Sequence, residues 1–204
     1  PSSFFLILRF FLFGLDFVGA AIRLAHFKKA VQKISSFSTA LDAGCGTGDF
    51  SFYLAERYPQ VSFDAYDINK DIIEQNKDIQ RKMRTQNISF SDVNLLSVKE
   101  KEKYDFIFSI GTLIYFSKQD TKRILQRLTA ALQKNGYLYL DLPQEDFLEV
   151  KWFPVSWYKE KYQALKTENS GSLYRFEEMQ SLLSGLGYDI ITANKSFSYT
   201  GKLA

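Results

Sequence analysis

The chain reads as an α/β protein: a Rossmann-like, doubly wound, mostly parallel sheet of six or seven strands with helices on both faces. Three observations predict this. Strand-like runs alternate with helix-like runs from Phe37 onward, which implies right-handed crossovers between parallel strands. One of those runs, YDFIFSI (104–110), is apolar almost throughout, as a strand covered on both faces must be. Three glycines, Gly44, Gly46 and Gly48, crowd the junction between the first strand and the helix after it. Glycine costs chain entropy, so this density marks a tight turn or a close approach of main chain to a ligand.

The N-terminal segment stands apart. Residues 4–25, FFLILRFFLFGLDFVGAAIRLA, approach the ~20 apolar residues of a membrane span. Arg9, Asp16 and Arg23 interrupt them at intervals of seven, nearly two helical turns, so the charges share one stripe and the other faces are apolar. Residues 1–36 are expected to form an apolar helical segment. It is a lid or partner contact, an interfacial membrane helix, or a span or signal segment, and the charges weigh against the last.

Residues 37–204 are expected to form the α/β domain. STALDA (38–43) predicts a buried first strand. Asp49–Arg57 predicts a helix with Phe50, Tyr53 and Leu54 inward, stopped before Pro59. VSFDAYD (61–67) predicts a second strand. Residues 68–83 show helical spacing at Ile72, Ile73, Ile79 and Met83, with Asn69 as cap. NISFSDV (87–93) and YDFIFSI (104–110) predict strands three and four. Ser117-x-x-Asp120 opens a helix in the manner of a capping box. It carries Ile124, Leu125, Leu128 and Leu132 inward and closes at Asn135-Gly136. GYLYLDL (136–142) predicts a fifth strand. A helix over 176–186, a sixth strand YDIITA (188–193) and a seventh, SFSYTGK (196–202), hairpinned onto the sixth, complete the pattern. The fifth strand and the next helix are separated by an insertion at about 143–175, long enough to be functional.

Composition excludes several classes. A hydrophobic fraction of 46% supplies a substantial core, and 24% charged residues argue against disorder. Lys and Arg exceed Asp and Glu by 26 to 23, too little for a nucleic-acid surface. One cysteine, Cys45, rules out an intramolecular disulfide. With His26 as the one histidine, no metal site is expected. A reducing, cytoplasmic setting is expected, with peripheral membrane contact through residues 4–25 left open. The chain begins at Pro1 and stops at Gly-Lys-Leu-Ala, so both ends read as cut from a longer product.

The glycine loop narrows the ligand. In open α/β sheets ligands bind beyond the carboxyl ends of the strands, where this loop lies. The dinucleotide pattern G-x-G-x-x-G fails, because its third position is Asp49. No Gly-Lys-Ser/Thr follows, which excludes a P-loop. Asp42 and Asp49 flank the loop and would repel a pyrophosphate. A cationic, phosphate-free nucleoside is the better electrostatic match.

LDAGCGTGDFSFYLA resembles motif I of the class I S-adenosylmethionine-dependent methyltransferases, an acidic residue, x, then G-x-G-x-G. The resemblance covers about residues 37–193 and rests on four matches, each at a strand end. It implies S-adenosylmethionine as cofactor, held by Asp42, Ala43, Gly44, Gly46 and Gly48 of the loop. It implies that Asp67, with Ile68 after it, holds the ribose hydroxyls. Asp92 matches the acceptor of the adenine amino group, and the main chain at Val93 pairs with the ring. The segment from Ser109 lies near the methionine part. KNGYLYLDLP is similar to the family's L-x-P-G-G-x-L but keeps one glycine only.

The resemblance implies methyl transfer by in-line displacement. Aligning donor and acceptor can supply about 7–11 kcal/mol, so the lack of an evident catalytic dyad is no objection, and no base is named. Candidate substrate contacts are Tyr115 after the fourth strand, His26, and Trp152 and Trp157 in KWFPVSWYKEKY (151–162). For each, packing is the alternative. The Asn/Asp-Pro-Pro-aromatic motif of enzymes acting on planar amines is replaced by Ser109-Ile-Gly-Thr, so a small apolar or aromatic acceptor is expected, and no nucleic acid. A non-catalytic relative that binds a membrane or partner, and an NAD(P)-dependent oxidoreductase, are the competing readings. The oligomeric state is not legible.

Overall fold

The computed structural model describes residues 15–142, 174–194 and 198–204. The chain divides into two units, Pro1–Ser35 and Ser36–Ala204. In the first unit, helix α1 (Leu15–Val31) ends with Lys28 and Lys29, whose charges suit the negative end of its dipole. Among the described residues no helix is long and apolar enough to cross a membrane. Residues 4–14 of the apolar run lie outside the described residues.

The second unit is built on seven strands: β1 (Thr39–Ala43), β2 (Ser62–Asp67), β3 (Ile88–Asp92), β4 (Tyr104–Ile110), β5 (Leu132–Asp141), β6 (Tyr188–Asn194) and β7 (Ser198–Leu203). Their order in the sheet is β3-β2-β1-β4-β5-β7-β6. Strands β1 to β5 pair in parallel. β7 lies between β5 and β6 and is antiparallel to both, so the expected hairpin forms but also wedges into the sheet. The strand order reverses between β1 and β4, and a crevice opens at the carboxyl ends on either side of such a reversal.

β4 explains its own apolar sequence. Phe106, Ile107 and Phe108 are completely buried, and the Phe106 and Phe108 rings stack at 5.3 Å. At the opposite end of the strand, the Asp105 carboxylate accepts hydrogen bonds from the amides and hydroxyls of Ser38 and Thr39, which fixes β4 to β1. Burial alone would raise the Asp105 carboxyl. The hydrogen bonds outweigh it and hold the group below its ordinary value.

Helices α2 (Asp49–Arg57), α3 (Lys70–Met83), α4 (Lys118–Ala131) and α5 (Phe176–Gly185) connect the strands. The two expected caps form. Asn69 Oδ1 accepts from the Asp71 and Ile72 amides, and Ser117 Oγ from the Asp120 amide. Three expectations need correction. In α2 the buried face is Ser51, Leu54 and Ala55, while Phe50 and Tyr53 are only half-buried. In α3 the inward stripe is Ile73, Asn76 and Gln80 rather than the aliphatic series: Ile79 is 39% and Met83 52% exposed. The polar pair is turned inward because loop carbonyls need donors. Asn76 Nδ2 bonds the Gly46 carbonyl, and Gln80 Nε2 those of Thr85 and Ile88.

The third correction concerns the end of α4. The helix stops at Ala131, and Leu132 already belongs to β5. The amides of Glu102 and Lys103 take the carbonyls of Ala130 and Ala131, so the last turn is satisfied by the chain entering β4. Asn135 takes the left-handed φ of 64° inside an irregularity of β5, where Tyr104 faces Leu132 but Phe106 faces Tyr137.

Candidate functional site

Residues Gly44–Gly48 carry the chain from β1 into α2. All three glycines have positive φ, at 90°, 49° and 77°, but they answer different needs. A Cβ on Gly44 would lie 2.2 Å from Thr112 Cγ2, so no side chain fits there. Gly48 caps α2 in the left-handed region. At Gly46 a Cβ would meet nothing within 4 Å. Two glycines therefore let the loop fold, and the third leaves main chain open to a ligand.

The loop is tied to neighbouring strand ends. The amides of Gly44 and Cys45 both donate to the Tyr66 carbonyl at 2.8 Å, and Thr112 Oγ1 donates to the Gly44 carbonyl at 2.9 Å. The Gly46 amide donates to Asp67 Oδ2 at 2.9 Å, and the Asn69 amide to Asp67 Oδ1 at 2.9 Å. The Asp67 carbonyl accepts from the Val93 amide. Asp67 thus joins the loops after β1, β2 and β3. Each of its carboxylate oxygens keeps acceptor capacity for a further donor.

These loops surround a cavity of about 400 Å³. Its lining includes Gly44 to Thr47, Asp49, Phe50, Asp67, Ile68, Val93 to Leu95, Ile110 to Thr112, Tyr115 and Phe116. Among these described residues there are two carboxylates and no lysine or arginine. Of the residues singled out in the sequence, Gly44, Gly46, Asp67, Ile68, Val93 and Tyr115 line this cavity together, with Tyr115 64% exposed.

Of the other expected residues, Ala43, Gly48, Ser109 and Asp92 stand behind or beside the cavity. Ala43 and Gly48 hold the two ends of the loop. Ser109 Oγ donates to the Ala43 carbonyl at 2.8 Å and ties β4 to β1. Asp92 is half-exposed, with Lys70 Nζ 3.6 Å from its Oδ2. His26 belongs to the first unit. Trp152 and Trp157 lie outside the described residues. Sequence reading missed Thr112 and Asn76. Thr112 sat in the quoted Ser109-Ile-Gly-Thr, but nothing local shows that it fills the space of a Gly44 side chain. Asn76 carried a usable signal, a polar residue three positions after Ile73 on the inward stripe.

Asp42 lies beneath the loop, 3% exposed, and accepts from Ser51 Oγ at 2.6 Å. Burial is the main reason its carboxyl is pushed up to about 7, with the charge of Asp67 adding to the rise and the Ser51 hydrogen bond opposing it. The unfolded chain therefore binds fewer protons than the folded one between about pH 4 and pH 7. Stability falls as pH rises through that window, and the penalty is complete above it. Asp42→Asn is expected to remove this slope. Relative to wild type, its unfolding free energy should gain ~2–4 kcal/mol between pH 4 and pH 8. Denaturant unfolding across that range checks it, and parallel curves for the two proteins would refute it. Cys45 is no nucleophile here. Burial, then Asp42 and Asp67, push its thiol well above the ordinary value.

Known proteins resemble this chain in sequence and in fold. Residues 34–183 match the family model described as "Methyltransferase domain". The malonyl-[acyl-carrier protein] O-methyltransferase 2 of Ilyobacter polytropus is 29% identical over 112 residues, 54% of this chain and 42% of that protein. The chain spans between 33% and 42% of the length of the curated relatives it matches. Magnesium protoporphyrin IX methyltransferase from Synechocystis PCC 6803, solved with bound SAH, has a similar structure. Its TM-score is 0.67 at 15% identity, covering 91% of this chain and 83% of that one. The PH0226 protein from Pyrococcus horikoshii superposes with a TM-score of 0.72 at 15% identity, over 92% of both chains. The structures speak for a shared fold, and the family model covers the glycine loop and most of the sheet. The chain belongs to the methyltransferase domain family, the class I S-adenosylmethionine-dependent methyltransferases.

Proposed function

We propose that this domain binds S-adenosylmethionine and transfers its methyl group in line to a small apolar or aromatic acceptor. One observation carries the reading: the cavity at the strand-order reversal presents Asp67, Asp49 and the open side of Gly46, and its described lining holds no cation. Phosphates would be set against two carboxylates there, whereas a sulfonium nucleoside meets them with opposite charge. When bound, the cofactor supplies a methyl group already activated for displacement.

The chain's task is then to hold and align. Asp67 accepts from the two ribose hydroxyls with the capacity its loop bonds leave free. Ile68, exposed beside it, packs on the nucleoside. The Val93 amide is already engaged by Asp67, so the purine edge is left to the main chain at Asn94 and to the Asp92 carboxylate. The Ser109–Thr112 turn faces the amino-acid part. Phe50, Tyr115 and Phe116 form an aromatic side of the cavity that keeps water from the transfer and suits a flat acceptor. Trp152, Trp157 and His26 stand as further candidate acceptor contacts.

Calorimetric titration with S-adenosylmethionine and, separately, with NADH tests the cofactor, and transfer of labelled methyl to a panel of phenols, quinols and acyl carboxylates tests the acceptor. Binding of the sulfonium nucleoside and none of NADH is expected. Heat from NADH alone would overturn the proposal.

A further inference from the structure

A second concavity, about 660 Å³, lies between the segment after β3 and the outer face of α4. Leu96, Val98 and Ala130 give it an apolar floor, and Lys99, Lys101, Arg123 and Arg127 line it with positive charge. Glu100 is the one carboxylate in the lining, and its Oε1 already accepts from the Tyr66 phenol at 2.6 Å. Arg123 shares its charge with Asp120, and Arg127 is oriented by the Val98 carbonyl. Lys99 and Lys101 are exposed and have no ion pair among the described residues. The whole chain carries only +3, so four cations against one acid is a local concentration of charge.

We infer that this groove docks an acidic partner protein through an amphipathic helix that sets carboxylates against the lysines and apolar side chains on the floor. The apolar floor and the carboxylate of Glu100 favour such a helix over a continuous phosphate backbone, which needs an unbroken row of cations. The place of the groove adds a role. Leu95 lines the cofactor cavity and Leu96 lines the groove, so consecutive residues of one short helical turn form the wall between them. A partner seated in the groove is therefore placed beside the cofactor cavity, where it presents the acceptor group. This role as acceptor carrier rests on the methyl-transfer reading, whereas the docking itself does not.

The probe is a fluorescent amphipathic peptide with Glu at i and i+4 and Leu on the adjoining face, titrated by anisotropy against the full chain. A Glu→Gln version of the peptide, a single-stranded oligonucleotide and vesicles containing phosphatidylglycerol serve as competitors. The Glu peptide is expected to bind and the Gln peptide to bind at least ~10-fold more weakly. Lys99→Glu with Lys101→Glu should weaken the Glu peptide by a similar factor while leaving S-adenosylmethionine titration unchanged. Equal binding of both peptides, an unaffected double variant, or tighter binding of the oligonucleotide or vesicles would overturn the proposal. Peptide binding without cofactor binding would retain the docking and refute the methyl-transfer reading. Cofactor binding without peptide binding would do the reverse.

Discussion

Gly44→Ala is expected to abolish measurable S-adenosylmethionine binding and to lower the unfolding free energy by at least ~3 kcal/mol. Two costs combine. A side chain at φ 90° is strained by roughly 1–2 kcal/mol. The new Cβ would also sit 2.2 Å from Thr112 Cγ2 and 2.3 Å from its Oγ1, an overlap of the kind that costs about 1–3 kcal/mol. Moving Thr112 aside breaks its bond to the Gly44 carbonyl and disturbs Gly111, whose amide holds the Asp141 carbonyl. Denaturant unfolding and calorimetry give the two readouts. Adding Thr112→Gly should recover the steric part and leave the backbone part. Gly46→Ala is the control: its Cβ meets no protein atom within 4 Å, so it should lose affinity while its stability falls only by the backbone strain of φ 49°, about 1–2 kcal/mol. Wild-type binding by Gly44→Ala would show that the loop yields easily, contrary to this account.

Asp67→Ala should weaken S-adenosylmethionine at least ~10-fold, as a lost charged acceptor costs about 1.5–3 kcal/mol. The side chain also holds the amides of Gly46 and Asn69, so part of the loss could come through the loop. A cofactor analogue lacking a ribose hydroxyl separates the two. If Asp67 touches the ribose, the analogue binds wild type more weakly than the full cofactor but binds Asp67→Ala about equally well. Additive losses would assign Asp67 to loop anchoring alone.

The central strands β1 and β4 were legible because they are buried almost throughout and their apolar runs need no context to be read. The glycine loop and Asp67 were legible for a related reason: a requirement for positive φ and a carboxylate at a strand end are local facts. The inward face of α3 was not, since Asn76 and Gln80 serve carbonyls on other elements. Nor was the end of α4, where the amides of Glu102 and Lys103 decide the stopping point. The contact between Thr112 and Gly44 joins residues 68 apart, with three strands between them, so no window of sequence contains it. The cationic groove is hidden for the same reason, as its lysines and arginines come from segments that meet only in the fold.

The position of β7 has a consequence for biosynthesis. Both of its neighbours precede it along the chain, so while a ribosome is still making this domain the outer rim of β5 has bare amides and carbonyls. An unguarded rim is a template for pairing with another nascent chain. Interrupted translation just short of Ser198 should therefore yield a sticky product rather than a merely incomplete one.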